Sequence, residues 1–199
     1  MNIKTFPMGL LSSNAYVVYD KNECMIVDLG VEPKYLEEFI KGKGLDVKYL
    51  VLTHGHYDHA HYVGKYMEAY PNAKVICHTD EIKVLTDKIA NVSYLVGDSC
   101  TYNYDYTLVS NGDVLTVGDS ELKVLNFPGH TPGCICLLNE KSKTMLTGDV
   151  IFAQGYGRTD FLYGDSSLMR ESLLQIAKMD EEIEIFPGHG PSTQLKYIF

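Results

Sequence analysis

The sequence lacks the segments that would place a protein in or across a membrane. Its first fourteen residues contain one lysine, a proline and a short apolar stretch before two serines, which is too brief and too interrupted for a secretory signal peptide. The longest apolar runs have the length of β-strands, so we expect no segment that spans a bilayer. These absences predict a cytoplasmic protein with no membrane partner.

Basic clusters and paired cysteine motifs are also missing. Lysine and arginine are scattered through a chain of formal net charge -9, and an acidic chain repels phosphate backbones, so we expect no nucleic-acid partner. The 5 cysteines are odd in number and include no CxxC motif, which argues against a disulfide framework or a structural zinc knuckle. We expect reduced, mostly buried thiols.

The composition is that of an ordinary globular protein. Apolar residues make up 45% of the 199 residues and charged residues 22%, which is enough for a hydrophobic core of useful size. No internal repeat, low-complexity stretch or linker stands out, and we predict a single domain over residues 1–199.

Short apolar runs rich in valine, isoleucine and tyrosine predict β-strands. They are Ile3–Phe6, Ala15–Tyr19, Met25–Asp28, Val47–Leu52, Lys74–Cys77, Val114–Val117, Leu122–Phe127, Ile135–Leu138, Thr144–Thr147 and Glu182–Phe186. Helical patterns fall at Pro33–Lys41, about His59–Ala69, about Asp80–Ile89 and Ser166–Met179, the last with an apolar face of Leu168, Leu173, Ile176 and Ala177. Two strand clusters interrupted by helices predict sheet packed on sheet with helices outside, an α+β architecture. The polar, tyrosine-rich segment 91–113 is long for a connection and predicts a lid or a surface hairpin.

The strongest chemical signal is the motif T-H-G-H-Y-D-H, which directly follows a predicted strand. In an extended segment, side chains two apart point the same way, so His54 and His56 can bind one metal ion together. Asp58 and His59 fall where the chain turns into a helix, and they can face a second ion nearby. Imidazole nitrogen and carboxylate oxygen suit borderline divalent metals. The alternative, a helix-capping aspartate beside solvated histidines, fits poorly with so dense a cluster.

Three shorter motifs also follow predicted strands. They are F-P-G-H-T-P-G at Phe127–Gly133, T-G-D at Thr147–Asp149 and F-P-G-H-G at Phe186–Gly190. They carry His130, Asp149 and His189, and an aspartate at this place can bridge two metal ions through its two oxygens. Each motif alone is a weak signal, because an incidental turn residue explains it as well. Together they predict ligands at corresponding strand ends, which converge on one edge of the sheets.

In this order and spacing, the four motifs resemble those of the metallo-β-lactamase superfamily over nearly the whole chain. The stretch T-G-D-V-I-F-A-Q-G-Y-G-R-T-D-F-L-Y-G-D and the helix after it resemble the glyoxalase II-like hydrolases, especially their short single-domain members. The resemblance implies an αββα sandwich with two divalent metal ions at its edge, zinc foremost, with iron and manganese as alternatives. It implies one ion held by His54, His56 and His130, a second held by Asp58, His59 and His189, and Asp149 as the bridge.

The activity implied by the resemblance is the hydrolysis of a small-molecule thioester, as in hydroxyacylglutathione hydrolases. Two divalent ions about 3.5–4 Å apart share a water and lower its pKa toward about 7, and the resulting hydroxide attacks the carbonyl. Asp58 or Asp149 can relay the proton. The chain stops soon after His189, without the helical domain with which two-domain glyoxalase II enzymes hold glutathione. This argues against S-lactoylglutathione as the physiological substrate and leaves a different thioester or an unrelated ester.

Four further residues need an interpretation. Asp28 either orients a ligand histidine or is a strand-end turn residue. Arg158 either contacts an acidic substrate end, as a basic residue near this place does in glyoxalase II relatives, or pairs with Asp160 within the loop. His61 stands where relatives usually carry a small residue, and we predict that it is not a ligand. His78 ends a strand, and we expect a structural role.

Two other functions compete with a hydrolase. A persulfide dioxygenase-like oxidoreductase with one iron is suggested by G-R-T-D-F, but such an enzyme leaves the second metal site empty, and every second-site ligand is present here. A non-catalytic binding module is free to lose ligands, so the complete set argues against that as well. A secreted β-lactamase should begin with a signal peptide.

Overall fold

Two β-sheets form the centre of the molecule in the computed structural model, which describes residues 1–199. The first sheet is 6-stranded, in the order β1 (Asn2–Phe6), β2 (Ala15–Asp20), β3 (Glu23–Val27), β4 (Asp46–Val51), β5 (Lys74–His78) and β6 (Thr107–Val109). The second is also 6-stranded and contains β7 (Val114–Val117), β8 (Ser120–Asn126), β9 (Ile135–Asn139), β10 (Thr144–Gly148), β11 (Glu184–Pro187) and β12 (Thr193–Gln194), again in chain order. Strands β3 to β6 run parallel, as do β10 and β11, and the other neighbours are antiparallel.

The helices cover the outer faces of the sheets. They are α1 (Lys34–Lys43), α2 (Tyr57–Ala60), α3 (Val63–Ala69), α4 (Ile82–Leu85) and α5 (Ser166–Ile176), with 3-10 turns at Leu10–Ser12, Thr79–Glu81, Ser93–Val96 and Leu195–Tyr197. The Asp165 carboxylate accepts hydrogen bonds from the N–H groups of Ser167 and Leu168 and so fixes the start of α5. None of the helices combines the length and the apolar character that a membrane crossing requires.

Residues that alternate along the strands feed three hydrophobic clusters. On β2 and β3, Val18 and Val27 point into the cluster between the sheets, where Leu137 and Leu146 meet them from the second sheet. Their neighbours on the opposite face pack under α1 and α3, and the outer face of the second sheet packs under α5. The period-2 alternation thus builds a helix–sheet–sheet–helix stack, which confirms the predicted αββα sandwich.

Two of the predicted helices differ from the structure. The helix expected at about His59–Ala69 is split into α2 and α3, because the backbone of Leu29 inserts there: its N–H donates to the His59 carbonyl and its carbonyl accepts from Tyr62 N–H. The helix expected at about Asp80–Ile89 is a 3-10 turn followed by α4. It stops early because the Thr86 hydroxyl bonds back to the Ile82 carbonyl, which competes with helix continuation.

The buried stripe of α5 also differs from the predicted face. The structure buries Met169, Ser172 and Ile176, whereas Leu168 and Ala177 are exposed. Ser172 can be buried because its hydroxyl donates to the Pro128 carbonyl at 2.7 Å.

The cysteines match the expected reduced and mostly buried thiols. All of them are free, and only Cys100 is not fully buried.

Candidate metal centre

The four sequence motifs end at one edge of the sandwich. His54 and His56 follow β4, Asp58 and His59 lie on α2, and His130, Asp149 and His189 follow β8, β10 and β11. Backbone hydrogen bonds tie these ends together: Asn14 N–H donates to the Gly188 carbonyl at 2.7 Å, and Gly188 N–H donates to the Gly148 carbonyl at 2.7 Å. The two sheets are joined beside the site, where Ile135 N–H donates to the Thr53 carbonyl at 3.0 Å.

The structure brings all seven predicted ligand side chains together. One group of potential ligand atoms, within 4.8 Å of one another, comes from His54, His56 and His130, and a second comes from Asp58, His59 and His189. Asp149 faces both groups: its Oδ1 lies 3.4 Å from His59 Nε2, and its Oδ2 lies 3.6 Å from both His130 Nε2 and His189 Nε2. Tetrahedral metal bonds of about 2.0–2.1 Å separate ligand atoms by about 3.3 Å, so the spacing suits divalent ions.

Unpartnered polar atoms provide an independent test of this fit. Four buried atoms of the cluster have no hydrogen-bond partner, namely Nε2 of His54, His56 and His130 and Oδ1 of Asp149. Leaving a buried polar group unpaired costs about 1–3 kcal/mol. Several such atoms aimed at the same small space are explained by a divalent cation, and nitrogen with carboxylate oxygen is the donor set that zinc, iron and manganese accept.

Hydrogen bonds behind the cluster orient its imidazoles. The Asp28 carboxylate accepts from His59 Nδ1 at 2.8 Å and from the N–H and hydroxyl of Thr53 at 2.9 Å. Since a carboxylate accepts, His59 carries a proton on Nδ1, and Nε2 is the nitrogen directed at the cluster. His130 Nδ1 likewise donates to the Arg158 carbonyl at 2.6 Å. Asp28 is therefore an orienting partner rather than a simple turn residue.

Burial sets the charge of three histidines. Burial and the neighbouring imidazoles hold the pKa values of His54 and His56 well below the usual 6.5. Burial also lowers the pKa of His130, although Asp149 opposes it. These three side chains are neutral imidazoles, the form in which histidine binds a metal.

His59 has the opposite charge state. Burial alone would lower its pKa, but the carboxylates of Asp58, Asp149 and Asp28 outweigh burial and raise the pKa to about 10. For Asp58, burial would raise the pKa, but His59 and His189 outweigh it and hold the pKa well below the usual range. The metal-free cluster therefore retains a proton that a cation has to displace.

Two glycines let the backbone approach the cluster. A β-carbon on Gly188 would lie 2.1 Å from Asp149 Oδ1 and 2.8 Å from His59 Cε1. A β-carbon on Gly157 would lie 2.0 Å from the Asp149 carbonyl oxygen. Any side chain at these positions would displace Asp149, which explains why glycine stands there.

The sequence interpretation missed Glu81. Its fully buried carboxylate accepts from Gly55 N–H at 2.7 Å, from Gly133 N–H at 2.7 Å and from the Thr131 hydroxyl at 2.6 Å. Burial raises its pKa to about 7, against these three donors. Glu81 thus joins the loop of His54 and His56 to the loop of His130. No local pattern marks it, because its partners are distant in the chain and two of them are backbone groups.

The remaining predicted residues lie around the cluster. Arg158 donates from Nε and Nη2 to the Asp160 carboxylate at 2.7 and 2.6 Å, as the salt-bridge interpretation expected. His61 belongs to neither ligand group; its Nδ1 lies 3.5 Å from Asp98 Oδ2, in a separate group with Cys100. His78 Nδ1 accepts from Asp80 N–H and caps a 3-10 turn, which is a structural role.

Comparison with known proteins identifies relatives of this arrangement. The family model of the metallo-beta-lactamase superfamily matches residues 8–189. A hydroxyacylglutathione hydrolase of Haemophilus influenzae is 30% identical over 201 residues, which cover 98% of this chain and 93% of the relative. The crystal structure of the BLEG-1 B3 metallo-beta-lactamase is similar with a TM-score of 0.89 at 32% identity, over 98% of this chain and 95% of that one. TTHA1623, crystallised in a di-iron-bound form, is similar with a TM-score of 0.83 at 27% identity, over 96% of each chain.

The contacts of Glu81 generate a first prediction. In Glu81→Gln the new amide group faces a backbone N–H, so one buried donor loses its acceptor, and we expect the free energy of unfolding to fall by about 1–3 kcal/mol. Metal affinity should fall with it, because the two ligand loops are no longer joined. Glu38→Gln, on the exposed face of α1, is the control. Chemical denaturation and metal titration of both variants test this, and wild-type values for Glu81→Gln would contradict it.

The charge state of His59 generates a second prediction. At pH 8 the metal-free protein carries a proton on His59, whose pKa is raised to about 10, and zinc binding should release that proton into the buffer. Calorimetry of zinc binding in two buffers of different ionisation enthalpy measures the release. Asp28→Asn removes one of the carboxylates that raise the His59 pKa, so fewer protons should be released. Identical proton release from both proteins would be evidence against this charge assignment.

Proposed function

We propose that this chain, which belongs to the metallo-β-lactamase superfamily, is a metal-dependent hydrolase of small-molecule thioesters. The observation that carries the proposal is the pair of ligand groups with Asp149 between them, aimed into a cavity at the sandwich edge. The full-length similarity to a hydroxyacylglutathione hydrolase supports a thioester as the substrate class.

We assign the seven side chains to two metal ions. His54, His56 and His130 would hold the first ion, Asp58, His59 and His189 would hold the second, and Asp149 would contact both. Support comes from the match between these sets and the two groups of ligand atoms, and from the unpartnered Asp149 Oδ1. Zinc is our first choice, with iron and manganese as alternatives. The di-iron form of one related structure supports iron as an alternative.

The proposed reaction adds water to the thioester carbonyl, breaks the carbon–sulfur bond and releases a carboxylate and a thiol. When bound, two divalent ions supply Lewis acidity and lower the pKa of water to about 7. The chain itself supplies the rest. Asp28 and the Arg158 carbonyl keep the ligand imidazoles in one orientation, and the carboxylates of Asp58 and Asp149 are our candidates for receiving the proton of the attacking water. The cavity floor formed by these groups positions the carbonyl.

The length of the chain does not argue against a glutathione thioester. The sequence argument against it rested on the helical domain with which two-domain glyoxalase II enzymes hold glutathione. The Haemophilus influenzae hydroxyacylglutathione hydrolase removes that argument, since this chain covers 93% of its length. S-lactoylglutathione therefore belongs among the candidate substrates.

A second candidate is the hydrolysis of a β-lactam amide. It is favoured by the 32% identity to the BLEG-1 B3 metallo-beta-lactamase over 95% of that chain. The same attack on a carbonyl carbon serves both reactions, and they differ in the leaving group. A one-iron oxygenase is less well supported, because the second ligand group is complete in this chain.

The deciding experiment uses metal-free protein reloaded separately with zinc, iron or manganese, and measures thiol release from thioesters and ring opening of a β-lactam by its ultraviolet absorbance. S-lactoylglutathione, simple acyl thioesters and a β-lactam are the substrates. Asp149→Asn should lose bound metal and lower kcat/KM by at least about 100-fold, since even partners of metal ligands cost up to that much. His61→Ala, outside both ligand groups, should keep both metal ions.

The outcomes separate the candidates. Thiol release that disappears in Asp149→Asn and persists in His61→Ala supports the thioesterase. Cleavage of the β-lactam alone would select the second candidate. A fully active Asp149→Asn protein would sink the bridging assignment.

A further inference from the structure

The cavity above the metal centre has an apolar rim. It measures about 590 Å³, within the range of small-molecule sites, and its floor contains the cluster residues His56, Asp58, His130, Asp149 and His189. Its walls are formed largely by apolar side chains: Leu11, Val92, Leu95, Val96, Phe152 and Phe161. Several of these are open to solvent, with exposed fractions of 62% for Leu11, 55% for Leu95 and 45% for Val96. Exposed apolar side chains gathered at one place mark a binding surface.

Charged groups in the walls are few. Arg158 is the only lysine or arginine that lines the cavity, and both its Nε and its Nη2 donate to the Asp160 carboxylate. Its guanidinium also lies over the Phe161 ring, 4.0 Å from the ring centre. A substrate that depends on several anionic groups therefore finds one arginine here, already paired with a carboxylate, whereas an apolar substituent finds several apolar side chains.

Two of the rim residues are held in a strained backbone conformation. Leu11 has φ 51 and ψ 26, and Val92 has φ 60 and ψ 9, which is the left-handed region that bulky and β-branched residues avoid. Such outliers persist only where the surrounding structure enforces them, and they gather at ligand sites. Strain alone is not evidence of function, but here both strained side chains face the same cavity.

The strained turns are fixed to the helix that carries Asp58. In the first turn, the Ser13 hydroxyl donates to the Asp58 carbonyl at 2.8 Å. In the second, the Asn91 carbonyl accepts from Tyr57 N–H at 2.8 Å, and the Asn91 side chain also accepts from Ser93 N–H. The two turns thus flank α2, and each contributes an apolar side chain to the cavity lining, exposed at Leu11 and buried at Val92.

We propose that this rim is an apolar subsite, with Leu11 and Val92 as specificity-determining residues, that binds an apolar substituent of the thioester beside the scissile bond. This inference rests on the proposed thioesterase function. The substituent is either the acyl chain or the thiol portion, since both flank the carbonyl. Burial of methylene groups against the rim would then govern substrate choice among thioesters.

Two series of thioesters test the subsite in the zinc-loaded protein. One series lengthens the acyl chain from acetyl to decanoyl on a constant thiol, and the other lengthens the thiol with a constant acetyl group. We expect kcat/KM to rise by up to about 4-fold per methylene in one series, as for buried methylene groups. The series that responds identifies which substituent occupies the rim.

Binding gives a readout independent of turnover. Calorimetry with acetate, hexanoate and decanoate compares ligands that share one carboxylate and differ only in chain length, and affinity should rise with length. Rising affinity without thioester cleavage would keep the subsite and reject the thioesterase. Thioester cleavage with no dependence on chain length in either series, together with flat affinity, would reject the subsite and keep the thioesterase.

A matched pair of variants tests the role of Leu11. Leu11→Asn replaces an apolar side chain by one that tolerates the left-handed region, so the denaturation midpoint should rise. The gain in kcat/KM from the shortest to the longest member of the responding series should fall at least about 5-fold. Ser12→Asn, at φ 65 in the same turn, should raise the midpoint without changing that gain. An unchanged gain in both Leu11→Asn and Leu95→Asn would overturn the proposal. Leu95→Asn is included so that a folding defect in Leu11→Asn does not leave the test without an answer.

Discussion

The structure depends on the burial of imidazole and carboxylate groups at one end of two packed sheets. Not every nitrogen and oxygen atom that points into the cluster can form a hydrogen bond. Four of these atoms have no hydrogen-bond partner. Such an arrangement is stable only if hydrogen bonds fix the orientation of each ring and a cation binds the unpartnered atoms. The hydrogen bonds of Asp28, the Arg158 carbonyl and Glu81, and the glycines that give Asp149 room, all serve this requirement.

The ligand motifs could be predicted from the sequence because each one is local. The spacing of His54 and His56 follows from an extended backbone, and the β-strands follow from alternating apolar residues. Glu81 could not be found in this way, since its partners at Gly55, Thr131 and Gly133 meet it only in the folded protein. The break between α2 and α3 was missed for the same reason: it is imposed by the backbone of Leu29, far away in the chain.

The segment 91–113 both packs against the first sheet and lines the cavity at the metal centre. Its Tyr102 is buried in the cluster under the first sheet, and its residues 107–109 form an edge strand, so the segment is anchored at its centre and at its end. Its beginning, from Val92 to Val96, lies at the rim of the metal centre. A firmly anchored segment can hold apolar side chains in a strained conformation, and this links the fold to the proposed preference for apolar thioesters.

Anomalous diffraction from crystals of the metal-loaded protein, collected on both sides of the absorption edge of the metal, tests the central claim most directly. The account predicts two peaks at the end of the sandwich. One lies between His54, His56 and His130, the other lies between Asp58, His59 and His189, and Asp149 contacts both. A single peak, or a peak only beside His61, Asp98 and Cys100, would contradict it.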